Sequence, residues 1–204
     1  MPGREARCGR IDAVNMWLQW LMAMTVKSTG KPALAIDEVA RTPFRVLPTD
    51  IDLLGHMNNG RYPSYMDLAR VDMTVRTGMQ AALEAEGIYA VVGQSSMVYR
   101  RSLDLWQRFD IETAVLGADE RAVYLVQRFV VDGEVYARGV VQGRFIQKGV
   151  GTIRVARLVE VLEAAGIEVR LPELDERVAD WARLNALPPT RAAAPSDWAG
   201  RTPR

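Results

Sequence analysis

The chain is poor in the residues that most often announce a metal centre or a disulfide framework: it has one cysteine, Cys8, and one histidine, His56, in 204 residues. A single thiol excludes an intramolecular disulfide and any cysteine-rich metal site. A lone histidine without a second His or Cys makes a poor metal site, so neither metal nor cofactor is expected. An excess of charge of one sign is also missing. Lys and Arg number 26 against 25 Asp and Glu, a net charge of +1, which removes the electrostatic footprint of a nucleic-acid binder. Long hydrophobic runs are absent too: the apolar stretch at 14–26, VNMWLQWLMAMTV, is interrupted by Asn15 and Gln19 and is too short to span a bilayer. No small-residue cleavage site follows it cleanly, which argues against a secretory signal. With the lone cysteine, this points to a reducing compartment, and a cytoplasmic location is expected.

What is present supports one good core. At 49% hydrophobic content the chain is long enough for a single domain with appendages. Residues 1–42 read as a tail, an amphipathic helix and a linker. The helix carries Trp17, Leu18, Leu21, Met22 and Met24 on its apolar side. Two readings of it stand side by side: docking on the core, or lying on a membrane surface as a peripheral contact. Residues 43–187 form the domain proper. The stretch 188–204 is rich in Pro, Ala and Arg without periodicity and is expected to be disordered.

Within the domain the hydrophobic period changes once. Residues 44–47 make a short apolar strand that ends at Pro48. Tyr62, Tyr65, Met66, Ala69 and Met73 then recur at helical spacing, with Ser64, Asp67 and Thr74 opposite them. Leu68, Val71 and Val75 widen the apolar surface, so this helix is expected to lie against a sheet. Gly78 marks its stop, and a short helix at 80–86 ends at Gly87. From Ile88 the pattern alternates. Ala90, Val92, Gln94, Ser96 and Val98 read as one strand face, and Phe109, Ile111, Thr113 and Val115 as another. Residues 121–131 and 134–147 flank Asp132-Gly133, a dipeptide suited to a tight hairpin turn. Helices are expected at 156–165, before Gly166, and at 174–184. A long helix followed by four antiparallel strands gives an α+β layered architecture, not a doubly wound one.

Chemistry-bearing residues concentrate at 49–70, TDIDLLGHMNNGRYPSYMDLAR. Two aspartates, the only histidine, paired asparagines and a glycine stand just ahead of the long helix. Carboxylates, imidazole and helix-start amides are groups that activate water and polarise a carbonyl. Each also has a plain reading, because Asp and Asn favour turns and N-caps. For Asp50 that reading leads: it is expected to order the turn.

Residues 44–72, FRVLPTDIDLLGHMNNGRYPSYMDLARVD, resemble the signature of hotdog-fold acyl-CoA thioesterases of the 4-hydroxybenzoyl-CoA thioesterase type, and within them the thioesterase-superfamily-member-6-like branch. The resemblance runs over about 44–147 and is sharpest in the motif. It implies a hotdog fold, with a long central helix wrapped by a curved five- or six-stranded antiparallel sheet. It also implies a homodimer, with a tetramer left open, whose sites lie at the subunit interface. In such enzymes an acid of this turn attacks the thioester or activates water, and a backbone amide at the helix start polarises the carbonyl. The position matching the acid is Asp52, and the amide falls by position on Asn59. Physical chemistry agrees: a carboxylate of ordinary pKa is already ionised at neutral pH, and thiolate is a good leaving group. The first helical N–H groups have no partner inside the helix.

Further candidates follow from the same reading. His56 orients Asp52 or holds the loop. Gly55, Asn58 and Gly60 shape the substrate-binding turn. Met57 and Tyr62 line an acyl pocket or fill the core, the second being favoured for Tyr62. Arg61, Arg100 and Arg101 meet coenzyme A phosphates or are solvated surface. Gln94 and Ser96 place polar groups near the reacting carbonyl, or simply face solvent. Asp67 is read as the partner of Arg70 at three-residue spacing. The expected activity is hydrolysis of an acyl-CoA, or of an acyl-carrier-protein thioester. Its rivals are a non-catalytic acyl-thioester or lipid-binding module of the same fold and a membrane-surface protein acting through the N-terminal helix.

Overall fold

The computed structural model describes residues 33–189 and 191–196, so the expected N-terminal helix at 14–26 lies outside them. The described chain runs β1 (Ala40–Arg45), a 3-10 turn (Pro48–Asp50), α1 (Arg61–Arg76), α2 (Met79–Ala85), β2 (Ile88–Tyr99), β3 (Arg108–Ala118), β4 (Val123–Val131), β5 (Glu134–Gln147), β6 (Gly151–Thr152), α3 (Val155–Ala164) and α4 (Glu176–Leu184). The strands form one antiparallel sheet in the order β1-β3-β4-β5-β2, with β6 paired to the end of β5. This is the α+β hotdog arrangement, a long helix against a curled antiparallel sheet. Among the described residues no helix is long and apolar enough to cross a membrane.

Sequence signals explain most element ends. Gly78, Gly87 and Gly166 all take left-handed backbone angles just after a helix, as a residue without Cβ readily does. Asp132 and Gly133 both have positive φ, 49° and 80°, and Val131 pairs directly with Glu134 across this two-residue turn. β1 differs from expectation. It begins at Ala40, ahead of the expected 44–47, and stops at Arg45 because Leu47 and Pro48 open the 3-10 turn.

The inner face of the sheet carries two cores. Under the first half of α1, Tyr65 lies edge-on to Phe44 at 5.1 Å between ring centroids, and Phe109 stacks on Phe129 at 5.6 Å. Such pairs contribute about 0.5–1.5 kcal/mol each beyond their area burial. Gly139 lets the helix approach the sheet: a Cβ there would stand 2.9 Å from the Met66 sulfur and 2.7 Å from that of Met97. Farther along, Leu83 of α2, Phe145 of β5 and Leu158 and Leu162 of α3 form the second core. The outer face is covered by the C-terminal segment. Tyr124 and Ala182 meet there, and Gly117 leaves no room for a side chain beneath Leu174, whose Cα would lie 2.8 Å from a Cβ.

One strand departs from simple alternation. Val92 pairs with Gly143, yet Gln94 pairs with Gln142, so a bulge at Gly93 shifts the register by one residue. Such a shift exchanges the two faces of everything that follows. Ala90 and Val92 therefore face inward, whereas Gln94 and Ser96 turn to the outer face with Gln142 and Val140. The shared face expected for Ala90 through Val98 breaks at this point.

Candidate active site

The turn between β1 and α1 is a closed loop. The amide of Asp52 donates to the carbonyl oxygen of His56 at 3.1 Å, and that of Gly55 donates back to Asp52 at 3.1 Å. Gly55, with φ 85°, makes the reversal. Met57 donates to Leu103 at 2.8 Å and His56 bridges to Asp104, so the loop is laced to the segment before β3. Asn58 donates to the Asp50 carbonyl at 2.8 Å, while its side-chain oxygen accepts from the Gly60 amide at 2.8 Å. The Arg61 amide donates to the Asn58 carbonyl at 2.9 Å. The turn thus delivers the chain into α1 with Gly60 as its N-cap.

The two aspartates of this loop have opposite surroundings. Asp50 is fully buried. Its carboxylate accepts from the Tyr65 hydroxyl at 2.5 Å, the Leu47 amide at 2.9 Å and the Arg61 Nε at 3.0 Å. Burial, with the Asp50 charge beside it, pushes the Tyr65 hydroxyl far above its ordinary pKa. Asp50 orders the turn, as its sequence context suggests. Asp52 keeps 24% of its side chain exposed. Its Oδ1 accepts from the Leu54 amide at 2.8 Å and stands 3.8 Å from the His56 Nδ1. Among the described residues nothing donates to its Oδ2. The Asn59 amide likewise finds no acceptor among them, although its carbonyl accepts from the Tyr99 hydroxyl at 3.3 Å. A carboxylate oxygen and an amide hydrogen thus stay unspent on one loop.

The contacts expected of Arg61, Gln94 and Ser96 are corrected, whereas the other candidates fall on readings already open, the core being the one favoured for Tyr62. Arg61 is held by Asp50 with only 16% of its side chain exposed, so it serves the turn before any phosphate. Arg100 and Arg101 both pair with Glu134, at 2.8 and 2.5 Å. Met57 and Tyr62 are buried in the first core; burial pushes the Tyr62 hydroxyl up to about 12. Gln94 sits on the outer face, where its amide donates to the Ala182 carbonyl of α4 at 2.9 Å. Ser96 shares that face because of the bulge at Gly93. Asp67 pairs with Arg70 as expected.

Sequence reading missed a cavity of about 400 Å³ beneath the second half of α1. Asp67, Arg70 and Thr74, three to four residues apart along the helix, contribute to its wall. Asp67 and Thr74 were read as lying opposite the apolar stripe, yet that side of the helix faces this space as well. No residue of the 50–60 loop lines it, so the apolar space and the Asp52 turn are separate features of the protomer. Sequence reading also missed Asp72, fully buried on α1, which accepts from the Thr42 hydroxyl at 2.7 Å and lies 3.7 Å from Arg76.

The profile of the thioesterase-like superfamily matches residues 46–182. Protein THEM6 of Xenopus laevis is 36% identical over 140 residues, covering 69% of this chain and 65% of that protein, so the match spans just under two thirds of the relative's length. Among solved structures, the YbaW probable thioesterase from Escherichia coli aligns with TM-score 0.57 at 23% identity, covering 61% of this chain and 96% of that one. A DHNA-CoA thioesterase from Staphylococcus aureus aligns with TM-score 0.54 at 20% identity over 66% of this chain and 99% of that one. These two likenesses establish the fold.

Proposed function

The chain belongs to the thioesterase-like superfamily, and on that footing we propose that it hydrolyses acyl-CoA thioesters to free acid and coenzyme A. One observation carries the reading: Asp52 presents a carboxylate oxygen without a donor, and the Asn59 amide without an acceptor ends the same loop. The Asp52 carboxylate attacks the thioester carbonyl or takes a proton from the attacking water. The Asn59 amide receives the charge that develops on the carbonyl oxygen, the thiolate of coenzyme A departs, and where Asp52 has attacked directly, water then cleaves the acyl–Asp52 anhydride to free acid and carboxylate. The Leu54 amide holds Oδ1, with the His56 ring 3.8 Å from it, which sets the direction of Oδ2. The S. aureus neighbour acts on a CoA thioester by name, which supports coenzyme A as the carrier here.

The working unit in this proposal is a homodimer. β2 is a twelve-residue strand at one edge of the sheet, and Tyr89, Val92, Val98 and Tyr99 are exposed along it. A long apolar edge of this kind pairs with another strand or aggregates. The opposite edge, β1, is half as long and carries Pro43, which blunts pairing. Joining two β2 edges makes one continuous sheet. Thiol release from a panel of aliphatic and aromatic acyl-CoAs tests the activity. Asp52→Asn is expected to lose about 100-fold or more in kcat with fold and dimer intact. Equal rates would remove Asp52 from the mechanism. Binding without turnover by the parent protein would replace the enzyme with a passive acyl-thioester module.

A further inference from the structure

The cavity under α1 poses a separate question. Protein interiors are close-packed, and a space of about 400 Å³ matches the size of ligand pockets more than that of a packing fault. Its wall is almost wholly aliphatic and aromatic, with Val71, Val141, Phe145 and Leu162 among the lining residues. Asp67, Arg70 and Thr74 are the exceptions, and Arg70 is the cation among them. The Arg70 side chain lines the same space and is only 17% exposed, whereas its counter-ion Asp67 remains 60% exposed. The cation therefore reaches farther inward than the anion that neutralises it.

The hydrogen-bond inventory of Arg70 is unfilled. Nη1 donates to the Gln127 side-chain oxygen at 2.6 Å and Nη2 to Asp67. Nε and the remaining Nη hydrogens have no acceptor among the described residues. Gln127, fully buried, is itself anchored by donating to the Met66 carbonyl and the Thr113 hydroxyl, both at 3.0 Å, so the guanidinium is held in place. Burial also lowers the Arg70 pKa from its ordinary value, the mark of a cation short of solvent. An apolar space with one fixed guanidinium fork matches an alkyl chain that carries a carboxylate, because the fork and the carboxylate share a planar two-point geometry.

We propose that this cavity binds an aliphatic chain ending in a carboxylate, with Arg70 as the anchor for that group. The site does not depend on Asp52 or on turnover. Two sources share the chemistry, a free fatty acid and the far end of a dicarboxylic acyl thioester. Calorimetric titration of the full chain with laurate and with dodecanol reads the first. Titration of Asp52→Asn with suberyl-CoA and with octanoyl-CoA reads the second without hydrolysis.

Arg70→Met is expected to weaken the carboxylate ligand about tenfold and to leave its uncharged counterpart unchanged. Asp67→Asn releases the guanidinium from its competitor and is expected to tighten the carboxylate about threefold, an effect that a merely structural ion pair would not give. Arg70→Lys keeps the charge without the fork and should recover part of the loss even if Arg70→Met folds poorly. A gain confined to laurate assigns a free acid, and a gain confined to suberyl-CoA assigns the thioester. Equal affinity for charged and uncharged chains in the parent, or unchanged affinities in Asp67→Asn and Arg70→Lys, would overturn the proposal. Undiminished hydrolysis by Asp52→Asn, with these affinities intact, would strike only the Asp52 reading.

Discussion

Asp50 and Asp52 stand two positions apart on one turn and are used in opposite ways. Asp50 is buried and accepts from a hydroxyl, an amide and a guanidinium. Asp52 is partly open and commits a single oxygen, to Leu54 and His56. A carboxylate whose lone pairs are filled by fixed donors stabilises the fold and has little left to offer a substrate. One with an unfilled oxygen contributes little to the fold and is available for chemistry. The contrast explains how a motif of helix-capping residues can also leave one carboxylate oxygen open: Asp50, Tyr65 and Arg61 build the frame, and the loop closed by Asp52, Gly55 and His56 projects from it.

The sharpest way to break the comparison is to neutralise each carboxylate in turn. Asp50→Asn leaves Arg61 without its counter-ion and turns an amide donor toward other donors, and should cost about 3–5 kcal/mol of unfolding free energy. Asp52→Asn should stay within about 0.5 kcal/mol of the parent. Urea denaturation followed by tryptophan fluorescence measures both. Equal losses would show that Asp52 is part of the frame and would deprive it of the freedom its proposed catalytic role requires.

Alkaline titration probes the same frame through its tyrosines. An unfolded tyrosine loses its proton near the ordinary value of 10.0, whereas burial holds Tyr62 to about 12, and burial with Asp50 holds Tyr65 higher still. The folded state therefore keeps protons that the unfolded state has lost. The contribution of these hydroxyls is complete below pH 10 and drains away above it, through about pH 12 for Tyr62. Each tyrosine adds a slope of about 1.4 kcal/mol per pH unit in that window. Tyr65→Phe should cost about 1–2 kcal/mol at neutral pH and remove its own slope, leaving those of Tyr62 and of Tyr124, which burial likewise raises to about 12. A profile as steep as the parent's would place the Tyr65 proton elsewhere.

How much of this was legible in the sequence follows from the range of each interaction. Asp132-Gly133 and the glycines after the helices act within one turn, so their meaning is local and readable. The alternation of Phe109, Ile111 and Thr113 is equally local and holds until the bulge between Val115 and Gly117. Gly93 is local too, but its bulge is defined only by the pairing of β2 with β5, and that single residue moved Gln94 and Ser96 to the far face. Asp67, three residues from Arg70, was readable from helical spacing, but Asp50 lies 11 residues from Arg61 and Gln127 57 residues from Arg70, so no period reveals those partners. The cavity is hidden more deeply, because it is defined by α1, the sheet and α3 together. In the motif itself, the split between Asp50 and Asp52 was anticipated, since only one of them matches the position of the family's acid.

His56 gives the smallest and most discriminating effect. It stands 3.8 Å from Asp52, beyond a good hydrogen bond, with about a third of its side chain exposed, and its backbone already holds the loop through Asp52 and Asp104. His56→Ala therefore keeps the loop's main-chain bonds and removes only the weak side-chain contact, for a stability change of about 0.5 kcal/mol or less. If the ring only steers Asp52, thiol release should fall less than about tenfold, with the loss in kcat and KM unchanged. A loss as large as that of Asp52→Asn would promote the imidazole from positioning to proton transfer, and the pair would then act as one unit, measurable as non-additivity in the double variant.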